Sequence, residues 1–294
     1  MMRFFLFIFF ITSTVFSQPI QKLDYFSRQS FTHEDFEVNK IKTLKIENRK
    51  RYSAYYTKDQ KLPEKKTLVE EVKFKNGLPV EKIYYDSYGR IRNRTEYKYD
   101  KMNNLITEEA YNEYDNIISR REITYNSQND TSEVVKIFNR RSKNEKKQFL
   151  YDDQNRLITI KHFDQNDKIF LNQNFIYEKG QLKFLRITNA EDVMVNESEF
   201  FYNKAGNLTA EKQNGREKKY IYDEKNRLIK VEFGNELRVY KYNDRNYFED
   251  DRFYLNSKRQ YRLTFTYAKN GLVDEVIRYD SEDVKVFYSK FIYK

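Results

Sequence analysis

Residues 220–233 read YIYDEKNRLIKVEF, and a near copy, FLYDDQNRLITIKHF, occupies residues 149–163. Both carry Tyr-Asp, two polar residues, then Asn-Arg-Leu-Ile. A tyrosine beside an aspartate can serve as acid and base in an active site. It can also mark the turns of a repeating fold. The rest of the chain decides between these readings.

The pattern is an aromatic residue, Asp or Asn, two residues, then Gly, Asn or Asp, any residue, and Leu or Ile. It runs from Tyr85-Asp86 to Gly89 and Ile91, and from Tyr99-Asp100 to Asn103 and Leu105. It returns at Tyr111-Asn112 with Asp115 and Ile117, Tyr151-Asp152 with Asn155 and Leu157, and Phe163-Asp164 with Asp167 and Ile169. Tyr202-Asn203 with Gly206 and Leu208, and Tyr222-Asp223 with Asn226 and Leu228, continue it. Weaker copies begin at Tyr125, Phe138, Tyr242, Tyr267 and Tyr279. Tyr99, Tyr125, Tyr151 and Tyr177 stand 26 residues apart, with half-period copies between them. One unit is therefore two strands and two turns in about 26 residues.

Turn chemistry accounts for each position. Asp or Asn at the start of a type I turn accepts a hydrogen bond from the amide two residues on. The chain then needs positive φ to rejoin the ladder, which Gly tolerates freely and Asn or Asp better than other residues. Gly89, Asn103, Asn155, Gly206 and Asn226 fill that place, and Asn214-Gly215 is a two-residue hairpin signal. Between turns the residues alternate. Ile91, Asn93, Thr95, Tyr97 and Tyr99 share one face; Arg92, Arg94, Glu96 and Lys98 share the other. After Leu228 the phase slips to Ile229, Val231 and Phe233, which a bulge explains.

These features predict an all-β protein, an antiparallel β-hairpin meander of roughly sixteen or more strands. A twisted open sheet of that size curls or splits, so a curled sheet or solenoid-like array is expected. Three segments are predicted: a signal peptide over 1–17, an atypical cap of opening strands over 18–80, and the repeat domain over 81–294. Within the cap, LVEEVKFKNGLPVEKIYYD gives two strands around Asn76-Gly77.

The copies YKYDKMNNLITE, FLYDDQNRLITI, FFYNKAGNLTAE and YIYDEKNRLIKV resemble the YD repeats of the RHS group of large extracellular proteins. The resemblance covers about residues 80–294. It departs in its longer period and in Asn at the loop-glycine place. It implies a β-repeat shell or scaffold with glycan contact, and it does not imply a polymorphic toxin.

The first residues, MMRFFLFIFFITSTVFSQPI, have a positive start, an apolar run and small residues before a cut near Ser17/Gln18. This is the layout of a secretory signal. The expected location is secreted or periplasmic. The apolar run is shorter than the ~20 residues a spanning helix needs, so no transmembrane segment is expected in the mature chain. With no cysteine among 294 residues, a lipid anchor at cysteine, a disulfide framework and a thiolate metal site are all excluded. The chain holds 26 Tyr and 24 Phe but 7 Gly and 3 Pro, which favours strands over disorder. The net charge of +10, or +9 without Arg3, suits anionic surfaces, although the charges are dispersed.

No catalytic, cofactor or metal residue is assigned. His33 stands beside Glu34 and Asp35 without a third ligand group, and His162 lies in a strand opposite in phase to Phe163. The pairs Glu70-Glu71, Glu108-Glu109 and Asp250-Asp251 fall on opposite faces of their strands, and Asp152-Asp153 falls in a turn. The turns lack the dense acidic spacing of a calcium loop. The expectation is a non-catalytic exported protein that binds an acidic glycan or envelope surface through one sheet face. The alternatives are a structural shell pairing with a protein partner through its sheet edge, and an envelope-polymer hydrolase. Nucleic acid is not an expected partner.

Overall fold

A computed structural model describes residues 39–138 and 145–294. The signal segment and its cut, His33 with Glu34 and Asp35, and the rest of the weak repeat copy that begins at Phe138, residues 139–144, lie outside the described residues.

Among the described residues twenty strands follow one another. They are β1 (Asn48–Tyr55), β2 (Thr67–Lys75), β3 (Leu78–Tyr85), β4 (Ile91–Tyr99), β5 (Leu105–Asn112), β6 (Ile117–Tyr125) and β7 (Thr131–Phe138). Next come β8 (Glu145–Tyr151), β9 (Leu157–Phe163), β10 (Ile169–Glu178), β11 (Gln181–Asn189), β12 (Met194–Tyr202), β13 (Leu208–Gln213) and β14 (Arg216–Tyr222). The last six are β15 (Leu228–Phe233), β16 (Glu236–Tyr242), β17 (Phe248–Leu255), β18 (Lys258–Tyr267), β19 (Val273–Tyr279) and β20 (Lys285–Tyr293). Each pairs antiparallel with the next, and β20 pairs back onto β1 from Arg49↔Tyr293 to Tyr55↔Phe287.

The sheet is therefore a closed barrel, where the sequence predicts a curled sheet or solenoid. Closure has a plain cause. An open meander leaves two strands with unpaired N–H and C=O groups, and the seam pairs them with each other. It also corrects the expected docking of a partner through a sheet edge, because every described strand has a neighbour on both sides. Residues 48–80 contribute β1, β2 and the start of β3 to the same wall.

The turns follow the chemistry expected of them. Asp223 Oδ1 accepts from the amides of Lys225 at 3.0 Å and Arg227 at 2.9 Å, and Asn226, at φ 58°, donates its amide to the Asp223 carbonyl at 3.0 Å. The same paired acceptance recurs at Asp86, Asp100, Asn112, Asn126, Asp152, Asp164, Asn189, Asn203, Asn243 and Asp280. The phase slip is a bulge. Ile221 faces Lys230 and Tyr222 faces Leu228, so Ile229 is the extra residue and Leu228 shares a wall with Val231.

Alternation sorts side chains into an inner and an outer wall. Tyr97, Leu105, Ile123, Phe149, Leu157, Phe175, Leu182, Phe200, Leu208, Tyr220, Leu228 and Tyr240 are buried on the inner wall. Each contributes about 1.5–3 kcal/mol of burial. They lie near one end of the barrel, where even-numbered strands end and odd-numbered strands begin. There the strand-ending tyrosines form a ladder. The hydroxyls of Tyr125, Tyr151, Tyr177, Tyr222 and Tyr242 donate to the carbonyls of Leu105, Thr131, Leu157, Leu208 and Leu228 at 2.8–2.9 Å. Each carbonyl belongs to the first residue of an odd strand. The bond spans the gap where that strand and the next diverge toward their separate turns. The recurrent tyrosine thus has a structural duty. Burial pushes the phenols of Tyr99, Tyr151 and Tyr242 up, so they stay protonated donors.

Candidate binding site at the mouth of the barrel

The two ends of the barrel differ. At the ladder end a helical turn over residues 39–43 packs against the rim. Ile41 is buried. Lys40 Nζ donates to the Gly271 carbonyl at 2.8 Å and the Tyr247 hydroxyl at 3.0 Å. Lys42 lies against Gly77 closely enough that a Cβ there would meet its Cα at 2.8 Å.

The opposite end, here called the mouth, carries the turns that follow odd-numbered strands. Of the exposed large apolar side chains among the described residues, all but Leu44, Met102, Ile221 and Ile292 stand at the mouth. Tyr88 (82 % exposed) and Tyr114 (76 %) occupy turn tips, where the backbone projects each ring away from the wall. Tyr55 (75 %) ends β1 and meets Phe287 edge-on at 5.1 Å. Phe170 and the run Val193, Met194, Val195 extend the ring. Binding is expected through one sheet face, but the exposed tyrosines sit on the rim, because the face tyrosines are consumed in the ladder and in packing.

Between the two ends the inner wall is polar. Arg49 binds Glu70 at 3.0 Å, with Arg51 and Lys82 at 3.6 and 3.7 Å. Burial alone raises the Glu70 carboxyl, but Arg49, Lys82 and Arg51 outweigh it and hold the pKa below its ordinary value. Further round, Arg121 pairs with Glu108 at 2.9 Å and Arg238 with Asp251 at 2.6 Å. Arg238 keeps 43 % of its side chain accessible, so water reaches this wall. Twenty strands spaced ~4.8 Å apart give a perimeter of about 96 Å. Barrels of 16–18 strands already enclose an aqueous channel, so this perimeter has room for a lumen. His162 faces inward opposite Lys147, and Phe163 faces outward under Lys146. Burial above all, with the charge of Lys147 adding to it, holds the His162 pKa below its usual value against an opposing hydrogen bond with Gln173.

The outer wall carries ion pairs on many of its strands. Examples are Lys98–Glu109 at 3.1 Å, Lys183–Glu199 at 2.8 Å, Arg252–Asp250 at 2.7 Å and Lys290–Asp274 at 2.8 Å. A lipid-facing barrel presents an apolar band ~25 Å tall, whereas this wall carries charged pairs among its apolar side chains. No described helix is long and apolar enough to cross a membrane.

The carboxylate pairs are separated by the sheet. Glu70, Glu108 and Asp251 point inward while Glu71, Glu109 and Asp250 point outward, and each inward acid is matched by a cation. Asp152 is held in its turn by Arg156 at 2.7 Å. Among the described residues no three His, Asp or Glu side chains converge. The cross-strand ion pairs of the inner wall carry no sequence signal, since their partners are set by register around a closed ring.

No family model matches the chain, and no curated protein matches it. Solved structures give low-scoring likenesses. The structure of TcdB2-TccC3 without its hypervariable C-terminal region matches at 12% identity and TM-score 0.34, over 80% of this chain and 14% of that one. This chain thus spans about a seventh of that chain's length. A porin-like protein from Bacteroides uniformis matches at 8% identity and TM-score 0.35, over 85% of this chain and 98% of that one. A porin-like protein from Bacteroides vulgatus matches at 9% identity and TM-score 0.18, over 83% and 97%. Likenesses at these scores carry no argument about function.

Proposed function

We propose that the protein is an exported, non-catalytic barrel that binds a glycan of the cell envelope or extracellular space at its mouth. The observation that carries this is the arc of protruding aromatic side chains, Tyr55, Tyr88, Tyr114 and Phe170, along the β1–β10 half of the mouth, beside a water-accessible polar interior. Exposed rings on a rigid frame supply flat apolar faces at small entropic cost, which suits stacking on sugar rings. The leading residues 1–17 support export. The dispersal of the acid pairs to opposite walls supports a binding role over hydrolysis, which needs two carboxyls converging in one cleft.

The test is a glycan array with the mature protein, followed by Tyr88→Ala and Tyr114→Ala. Loss of the retained glycan with an unchanged melting curve supports the reading. Retention of every glycan by the double variant, or no glycan retained by the native protein at low salt, refutes it.

A further inference from the structure

We propose that the inner wall just behind the mouth binds the acidic groups of a polyanionic glycan, through Lys147, Lys218 and Arg278. This rests on the glycan reading above and names the class of glycan.

On the outer wall Lys98, Lys183, Arg252 and Lys290 each hold a carboxylate at ion-pair distance. On the inner wall Arg121 and Arg238 do so as well. Lys147, Lys218 and Arg278 do not: among the described residues none has a carboxylate within ion-pair distance. The cross-strand neighbours of Lys147 are Val134 and His162. Lys218 Nζ stands 5.3 Å over the Tyr220 ring, and the Arg278 guanidinium 5.1 Å over that of Tyr261. A cation over a ring face keeps its N–H donors available to an anion.

Their placement matters as much as their lack of acids. Lys147 is the third residue of β8, Lys218 the third of β14, and Arg278 the last but one of β19. The alternating chain direction puts all three within two residues of the mouth. They stand six and five strands apart, which spreads them round the ring. A circular ring of this perimeter puts Lys147 and Lys218 about 25 Å apart. One small anion cannot bridge them, whereas a chain with repeated charges can. A concave wall of low dielectric focuses the field of such a collar into the opening.

Full-length exported protein is titrated with heparin, with a heparin disaccharide and with neutral dextran, at roughly 50 and roughly 500 mM salt. The variant is Lys147→Gln, Lys218→Gln and Arg278→Gln together, with each single change beside it in case the triple fails to fold. The control is Lys101→Gln, Lys204→Gln and Lys269→Gln, which removes the same charge from turns at the ladder end. Long heparin is expected to bind at least about tenfold more weakly to the triple variant at low salt. The control stays within about twofold, and the disaccharide gains nothing from the collar. An unchanged heparin affinity in the triple variant and the singles overturns the proposal, as does an equal loss in the control. If neither heparin nor dextran binds the native protein, the glycan reading itself falls; if heparin binds the native protein and the collar variants equally, or only dextran binds, this inference alone falls.

Discussion

Replacing Tyr125 with phenylalanine tests the tyrosine ladder directly. The ring is kept, so no cavity opens and the packing against Leu105 is conserved. What disappears is one hydrogen bond of 2.8 Å to the Leu105 carbonyl. Leu105 is fully buried, so water does not replace the lost hydroxyl. A buried hydrogen bond lost without replacement costs about 1–2 kcal/mol. For a chain of this size that lowers the melting temperature by roughly 2–4 °C per kcal/mol. Tyr222→Phe removes the equivalent bond to Leu208, at 2.9 Å on a distant part of the ring. The two losses add, because sites this far apart act independently. Tyr88→Phe is the control, since its hydroxyl is in water. The assay is urea unfolding followed by tyrosine fluorescence and far-UV dichroism. If Tyr125→Phe and Tyr222→Phe are no less stable than Tyr88→Phe, the ladder does not hold the strand starts together and the reasoning fails.

Other outcomes follow from single residues. Asn226→Ala forces an ordinary side chain to φ 58° and costs about 1–2 kcal/mol, while Asn226→Gly is close to neutral; thermal melts distinguish them. Asp223→Ala removes the acceptor of the Lys225 and Arg227 amides and lowers the melting temperature; an unchanged melt with loss of some activity overturns the turn reading. The Glu70 carboxyl has a folded pKa below its ordinary value of ~4.3. Its contribution is therefore full above that pH and lost as pH falls through the folded pKa, and Glu70→Gln flattens the acid limb of a stability profile. Tyr85 is pushed up to about 12 by burial and then Glu71, so its contribution holds below about pH 10 and is lost as pH rises from there toward 12; Tyr85→Phe removes that alkaline limb.

Much of the fold was legible because each turn announces itself locally. Asp or Asn at the first place and Gly, Asn or Asp three places later are demands of backbone geometry, and a short window contains both. The positive φ of Asn103, Asp115, Asn155, Asp167 and Asn226 was readable for that reason. The Leu228 phase slip was equally local. Closure was not readable, since Tyr55 and Phe287 lie far apart in sequence and nothing in either strand marks it as half of a seam. The separation of Glu108 from Glu109 followed from alternation alone, but the partner of each acid depended on strand register. The exposed tyrosines were the least legible. Tyr88 and Tyr99 are the same residue type, and only their places, turn tip or strand end, separate an exposed ring from a structural one.

The two-strand unit has a consequence for the width of the barrel. The seam between β1 and β20 is antiparallel. A meander closes in that way only with an even number of strands. Gain or loss of one whole unit keeps the parity, changes the perimeter by about 9.6 Å and the bore by about 3 Å. Gain of a single strand would demand a parallel seam from a chain running the wrong way. Tandem duplication of about 26 residues is thus a stepwise gauge: a lineage built on this motif has access to a ladder of discrete bore sizes and to nothing between them.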